Sequence, residues 1–186
     1  MTRLPPLDPE TLSPRQREVY QAILGSARHS VEGPLRAWLA SPELADRAQA
    51  LGLKCRFGSS LAPSMSELAI LVVATYWKSE FEWHAHAPLA LQAGLSAAVV
   101  DAVRVGSAPP FAHPDESIVH AFAVELLTHH AVSQPTFNAA RERFGDEGVV
   151  DLIGILGYYT LIAMTIAAFE IPAPAGSPAA FDPAAN

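Results

Sequence analysis

The sequence predicts an all-α fold, a single-domain helical bundle. Three observations point there. Apolar residues recur at helical spacing, a capping residue followed by proline marks several helix starts, and no stretch alternates polar and apolar residues as a half-buried strand would. A chain of 186 residues is long enough to bury a sizeable core in one domain, and no internal repeat is visible.

Residues 1–12 hold Pro5, Pro6 and Pro9 and read as an extended N-terminal arm. Ser13-Pro14 opens a first helix whose apolar side is Val19, Ile23 and Leu24, since proline fits the first helical turn and serine caps it. The Gly33-Pro34 break precedes a short segment, 35–39, and Ser41-Pro42-Glu43 starts another helix that runs towards Cys55. Ser64-Met65-Ser66-Glu67 has the spacing of a capping box before a buried helix with Leu68, Ile70, Leu71, Val72, Val73 and Tyr76. A further helix spans 79–93 and stops at Gly94, and Ser96 caps a short one carrying Val99, Val100 and Val103.

Beyond a loop marked by Pro109, Pro110 and Pro114, a helix is expected from about Glu116 to His129, and Ser133-Gln134-Pro135 begins another that reaches Phe144. Residues 145–148, with a glycine at each end, separate it from a long apolar helix over 149–169. The helical domain is therefore placed at 13–172, and the Pro/Ala/Gly-rich residues 173–186 read as a flexible C-terminal tail.

Composition narrows the function classes. Half the residues are hydrophobic and 17% are charged, so part of the surface is expected to be hidden in a homo-oligomer. A net charge of -7 with 12 dispersed Lys and Arg argues against a nucleic-acid partner, because phosphate binding needs clustered cations. The lone Cys55 cannot form an intrachain disulfide and the N-terminus lacks the apolar run of a secretory signal, which makes a cytoplasmic setting the expectation. The 149–169 segment is long enough to span a bilayer, yet it contains Asp151 and lacks basic flanks downstream. It is read as a helix buried in the core and against another subunit, with no membrane partner. Asp151 then needs a cation, with Arg141, Arg143 or a neighbouring subunit as sources.

The chemistry-bearing stretch lies between Glu67 and His86. On a helix Ser79, Glu82 and His86 fall at i, i+3 and i+7, so hydroxyl, carboxylate and imidazole share a face against an apolar neighbour. Glu82 and His86, one turn apart, are expected to form a partly buried pair rather than a solvated one; Glu67 reads equally as a cap, and Ser79 as the N-cap of its helix. His84 and His86 point about 200° apart on a helix and cannot hold one ion together. No diagnostic metal motif, phosphate loop or nucleophile elbow occurs, so no metal or other cofactor is expected. His129-His130 is assigned to a helix end, and Cys55 to a buried thiol.

The same stretch resembles the carboxymuconolactone decarboxylase family, which includes the alkyl hydroperoxidase D-like proteins. Redox members carry Glu and, twelve residues later, Cys-x-x-Cys-x-x-x-His. The family's Glu falls on Glu67, its two cysteines on Ser79 and Glu82, and its histidine on His86, so both thiols are missing. The resemblance runs from Leu12 to about Pro172, through residues 92–96 and 122–127. It implies an alkyl hydroperoxidase D-like bundle, assembled as a trimer or hexamer. It also implies a small-molecule substrate, decarboxylated without a cofactor by His86 with Glu82 and with Glu67 as proton relay. Ser79, Tyr76 and Trp83 are the candidates for the pocket wall. A thiol peroxidase and a non-catalytic binding or assembly protein of the same fold are the alternatives.

Overall fold

In the computed structural model, residues 2–4 and 6–182 are described, and they form eight α-helices and a 3-10 turn, with no strand among them. The helices are α1 (Pro14–Leu24), α2 (Pro34–Trp38), α3 (Pro42–Phe57), α4 (Pro63–Tyr76), α5 (Glu80–Gln92), α6 (Ala97–Val105), α7 (Pro114–His129) and α8 (Gln134–Phe169). The first four and α7 each begin on a proline, whose fixed φ and missing N–H suit the first turn. Ser13, Ser96 and Ser133 cap α1, α6 and α8 through their side chains, and Ser13 completes a capping box with Gln16.

Helix α4 is the hub, packed against α5, α6, α7 and α8. Its run from Leu68 to Ala74 is buried on every side, as an all-apolar helix requires. The capping box expected at its start does not form. The helix opens on Pro63 with Ala62 as N-cap and no side-chain cap bond, which moves Glu67 into the helix body and frees its carboxylate for a partner elsewhere.

The α4–α5 connection is a tight Schellman turn: Lys78 N–H donates to Thr75 O, Ser79 N–H donates to Ala74 O, and Lys78 takes the left-handed conformation at φ 51°. The turn folds α5 back along α4. Glu67, about three turns before it, and His86, about two turns after, are thereby brought level.

Gly145 breaks α8 where the sequence places a separation, with φ 71° and ψ 178° inside an otherwise helical run. Beyond it the long apolar arm is long and apolar enough to cross a membrane by length and composition, and half of its most apolar stretch is buried within the chain. Leu152, Ile155, Leu156, Tyr158, Tyr159 and Ile162 fill the core beside α3 and α4. Asp151 is met by Lys54 Nζ at 3.2 Å and the Ser60 amide at 2.7 Å; the expected arginines are engaged elsewhere, Arg141 with Asp146 and Arg143 with Asp115.

The N-terminal arm lies along the end of α8, where Arg3 N–H donates to Phe169 O at 2.8 Å. The C-terminal segment differs from a free tail up to Asp182, because the Glu80 carboxylate accepts the Ala180 and Phe181 amides at 2.9 Å and Arg104 donates to Ala180 O at 3.0 Å. Phe181 is buried edge-on against Trp83, ring centroids 5.4 Å apart. Residues 183–186 of that expectation lie outside the described residues.

Candidate functional site

The Glu67 and His86 side chains meet between α4 and α5. Glu67 Oε2 and His86 Nδ1 are 2.8 Å apart, and both residues are buried. The tautomer with its proton on Nδ1 donates it to the carboxylate, leaving Nε2 as the nitrogen for the adjoining cavity. Tyr159 of α8 holds the imidazole edge-on, centroids 4.9 Å apart and planes at 87°. A ring fixed by a hydrogen bond at one nitrogen and packing on its face keeps one orientation, which proton transfer requires.

Glu82 lies on the same face of α5 as His86 and lines the same cavity, of about 230 Å³. The expected Glu82–His86 pair is not formed, since the imidazole gives Nδ1 to Glu67 instead. Glu82 is only 1% exposed and neither carboxylate oxygen has a hydrogen-bond partner among the described residues. Burial therefore pushes its pKa well above the usual carboxylate range; the nearby Ser79 hydroxyl opposes this only in part and makes no hydrogen bond of full geometry. Burial without a partner favours the neutral, protonated form of the carboxyl.

The other expected pocket residues separate. Ser79 is the N-cap position of α5, buried with its hydroxyl unpaired among the described residues, so it caps by backbone geometry without a side-chain bond. Trp83 is buried against Phe181 rather than on the cavity wall. Tyr76 is absent from this site. Nine positions after Glu67 on one helix is half a turn out of phase, and Tyr76 instead borders a second cavity of about 240 Å³ with Val72, Val103 and His120. His84 faces away from His86, its Nε2 2.8 Å from Pro178 O, as the spacing on α5 requires.

Four cavity residues have no motif to announce them: Arg28, Arg56, Phe81 and Tyr159. Phe81 reaches the wall because Gly33 has no side chain; a Cβ there would sit 2.7 Å from Phe81 Cζ, and φ of 54° is itself a glycine conformation. Burial raises the Tyr159 phenol pKa far above its ordinary value and keeps it neutral. Among the described residues no group of three or more His, Cys, Asp or Glu side chains is arranged to hold a metal ion.

Cys55 is buried on α3, with its sulfur 3.6 Å from where a Cβ on Gly154 would lie, and burial raises its thiol pKa. It does not line the cavity.

Residues 42–124, from α3 into α7, match the model of the carboxymuconolactone decarboxylase family. The crystal structure of an uncharacterized peroxidase-related protein from Silicibacter sp. TM1040 superposes with a TM-score of 0.72 at 17% identity, covering 92% of this chain and 90% of that one. At that identity the likeness is one of fold. No curated protein matches the sequence.

Proposed function

We propose that the chain, whose residues 42–124 match the carboxymuconolactone decarboxylase family, decarboxylates a small cyclic carboxylic acid by proton transfer, without a cofactor. The observation that carries this reading is the unpartnered Glu82 carboxyl in the cavity wall beside an imidazole already oriented by Glu67. A neutral acid does not repel an anionic substrate and has a proton to give.

In the reaction the bond from ring carbon to carboxylate breaks, carbon dioxide leaves, and the electron pair remains as an enolate or carbanion. Glu82 donates its proton to that carbon, and the ionised carboxylate left behind is unfavourable in its dry site until it is reprotonated. His86 returns the proton through Nε2, exchanging with solvent, and Glu67 keeps the ring in place. The two carboxyl groups divide the work: one is paired and orients, the other is unpaired and carries the proton.

The apolar cavity wall of Phe81, Leu35 and Ile162 suits a ring-sized ligand. The chain is also proposed to self-associate. Val150, Ile153 and Met164 form an exposed apolar stripe on α8, and Gly154 beside Cys55 places that stripe next to α3, where Leu51 and Phe57 are also exposed.

A dithiol peroxidase is the weaker reading. Ser79 and Glu82 stand where redox members of the family have thiols, and the sole cysteine is buried away from the cavity.

The proposal is tested by incubating the protein in D2O with a panel of cyclic unsaturated carboxylic acids. It predicts carbon dioxide release with one deuterium delivered to the product carbon. A panel that yields neither would overturn it.

A further inference from the structure

The cavity beside His86 carries two cations that the proton-transfer scheme leaves unused. Arg28 comes from the turn after α1 and Arg56 from the last turn of α3, segments distant in sequence that converge on one wall. Neither forms an ion pair with a carboxylate among the described residues. Arg28 donates from Nη2 to the Tyr158 hydroxyl at 3.0 Å and stands over that ring, while its buried Nε has no partner among the described residues. Arg56 rests over the Phe57 ring at 5.1 Å, and its guanidinium donates no hydrogen bond among the described residues. Glu32 also borders the cavity, but it is exposed to solvent and bonds neither arginine.

The place of Arg28 is built into the fold. Gly52 lies in the middle of α3, where glycine is unfavourable for a helix, and a Cβ at that position would run into Arg28 Nη2 and the Tyr158 phenol. The missing side chain is the notch through which the guanidinium reaches Tyr158. Guanidiniums facing a partly desolvated cavity, with donors left over, call for an anion, and the planar donor array matches a carboxylate best.

Resting on the reading of this cavity as the substrate site, we propose that Arg28 and Arg56 are its anion-recognition residues, holding the ligand by a carboxylate while the ligand's ring faces Phe81, Glu82 and His86. They bind and select; the proton chemistry belongs to Glu82 and His86.

The test uses benzoate, an unreactive ring carboxylate, and benzamide, its neutral isostere, titrated calorimetrically into the full chain. The expected result is benzoate binding at least about tenfold tighter than benzamide, the scale of one or more charge-assisted hydrogen bonds. Arg56→Gln and Arg28→Gln should each lower benzoate affinity about tenfold or more and leave benzamide affinity unchanged. Gly52→Ala, which closes the notch, should behave like Arg28→Gln. Arg56 makes no hydrogen bond from its guanidinium among the described residues, so Arg56→Gln remains informative if Arg28→Gln fails to fold. Equal affinity for the two ligands, failure of both to bind, or a benzoate preference that survives Arg56→Gln would overturn the proposal. Because benzoate is not turned over, an anion preference without carbon dioxide release from the acid panel would sink the decarboxylase reading alone.

Discussion

Glu67 Oε2 sits 2.8 Å from His86 Nδ1, joining the body of α4 to the middle of α5 across a turn that only a left-handed residue at Lys78 closes. In the proposed reaction that bond decides which carboxyl orients and which donates. Because Glu67 takes the imidazole, Glu82 is left with no partner for either oxygen among the described residues. The proposed reaction thus makes Glu67 a positioning residue. Glu67→Gln, which keeps an acceptor but loses the charge, should lower kcat by about ten- to a hundredfold with little change in KM, as expected when a reacting group is held less well. Unchanged kcat with a raised KM would contradict that assignment.

Glu82 makes stability depend on pH in a defined direction. Its native pKa is raised by burial, so in the range above the ordinary Glu value the folded protein holds a proton that the unfolded chain has released. Stability from this group is fully present below about pH 4.3, the unfolded value, and is lost as pH rises towards the native pKa. Thermal melts from pH 5 to 9 should show Glu82→Gln gaining stability over the parent as pH increases. A stability difference between the two that stays constant across that range would show that Glu82 titrates alike in the folded and unfolded states.

The apolar stripe of α8 predicts an obligate oligomer. Val150 is 66% exposed, Ile153 46% and Met164 49%, and covering them removes apolar area from water at about 25 cal/mol per Å². Light scattering should find a trimer or hexamer, the assemblies the family resemblance implies, and Ile153→Glu should shift it towards smaller species. A stable parent monomer at low micromolar concentration would defeat this expectation.

Peroxide turnover should be absent. A dithiol cycle needs a thiolate to take the peroxide oxygen and a second thiol to resolve the sulfenic acid, and this chain has one buried cysteine with a raised pKa. Peroxide consumption with a dithiol reductant should match background for both the parent and Cys55→Ser. Rapid consumption lost in Cys55→Ser would reverse the reading.

Much of the fold was legible in the sequence because its signals are local. Pro14, Pro42 and Ser96 mark helix starts by their own chemistry, and Gly145 marks the break in α8. Pro63 carried the same kind of signal, but Ser64 and Glu67 imitate a capping box one residue downstream, which concealed that the Glu67 carboxylate was free to reach His86. The i, i+3, i+7 spacing correctly put Glu82 and His86 on one face, yet spacing within one helix says nothing of what a second helix offers. Tyr76 was misplaced by proximity in sequence, although its phase relative to Glu67 points it to the opposite side. Arg28, Arg56 and Tyr159 come from three other segments, and only tertiary packing brings them together.

The central claim is that a neutral Glu82 delivers the proton while His86, held by Glu67, restores it. The most direct test is the rate of carbon dioxide release from an acid that the parent turns over, compared among the parent, Glu82→Gln and His86→Ala. Glutamine has the same shape but no acidic proton, so the account predicts a loss of about a hundredfold or more in each variant, with helical circular dichroism and benzoate binding retained. Turnover in Glu82→Gln at the parent's rate would show that the proton comes from elsewhere.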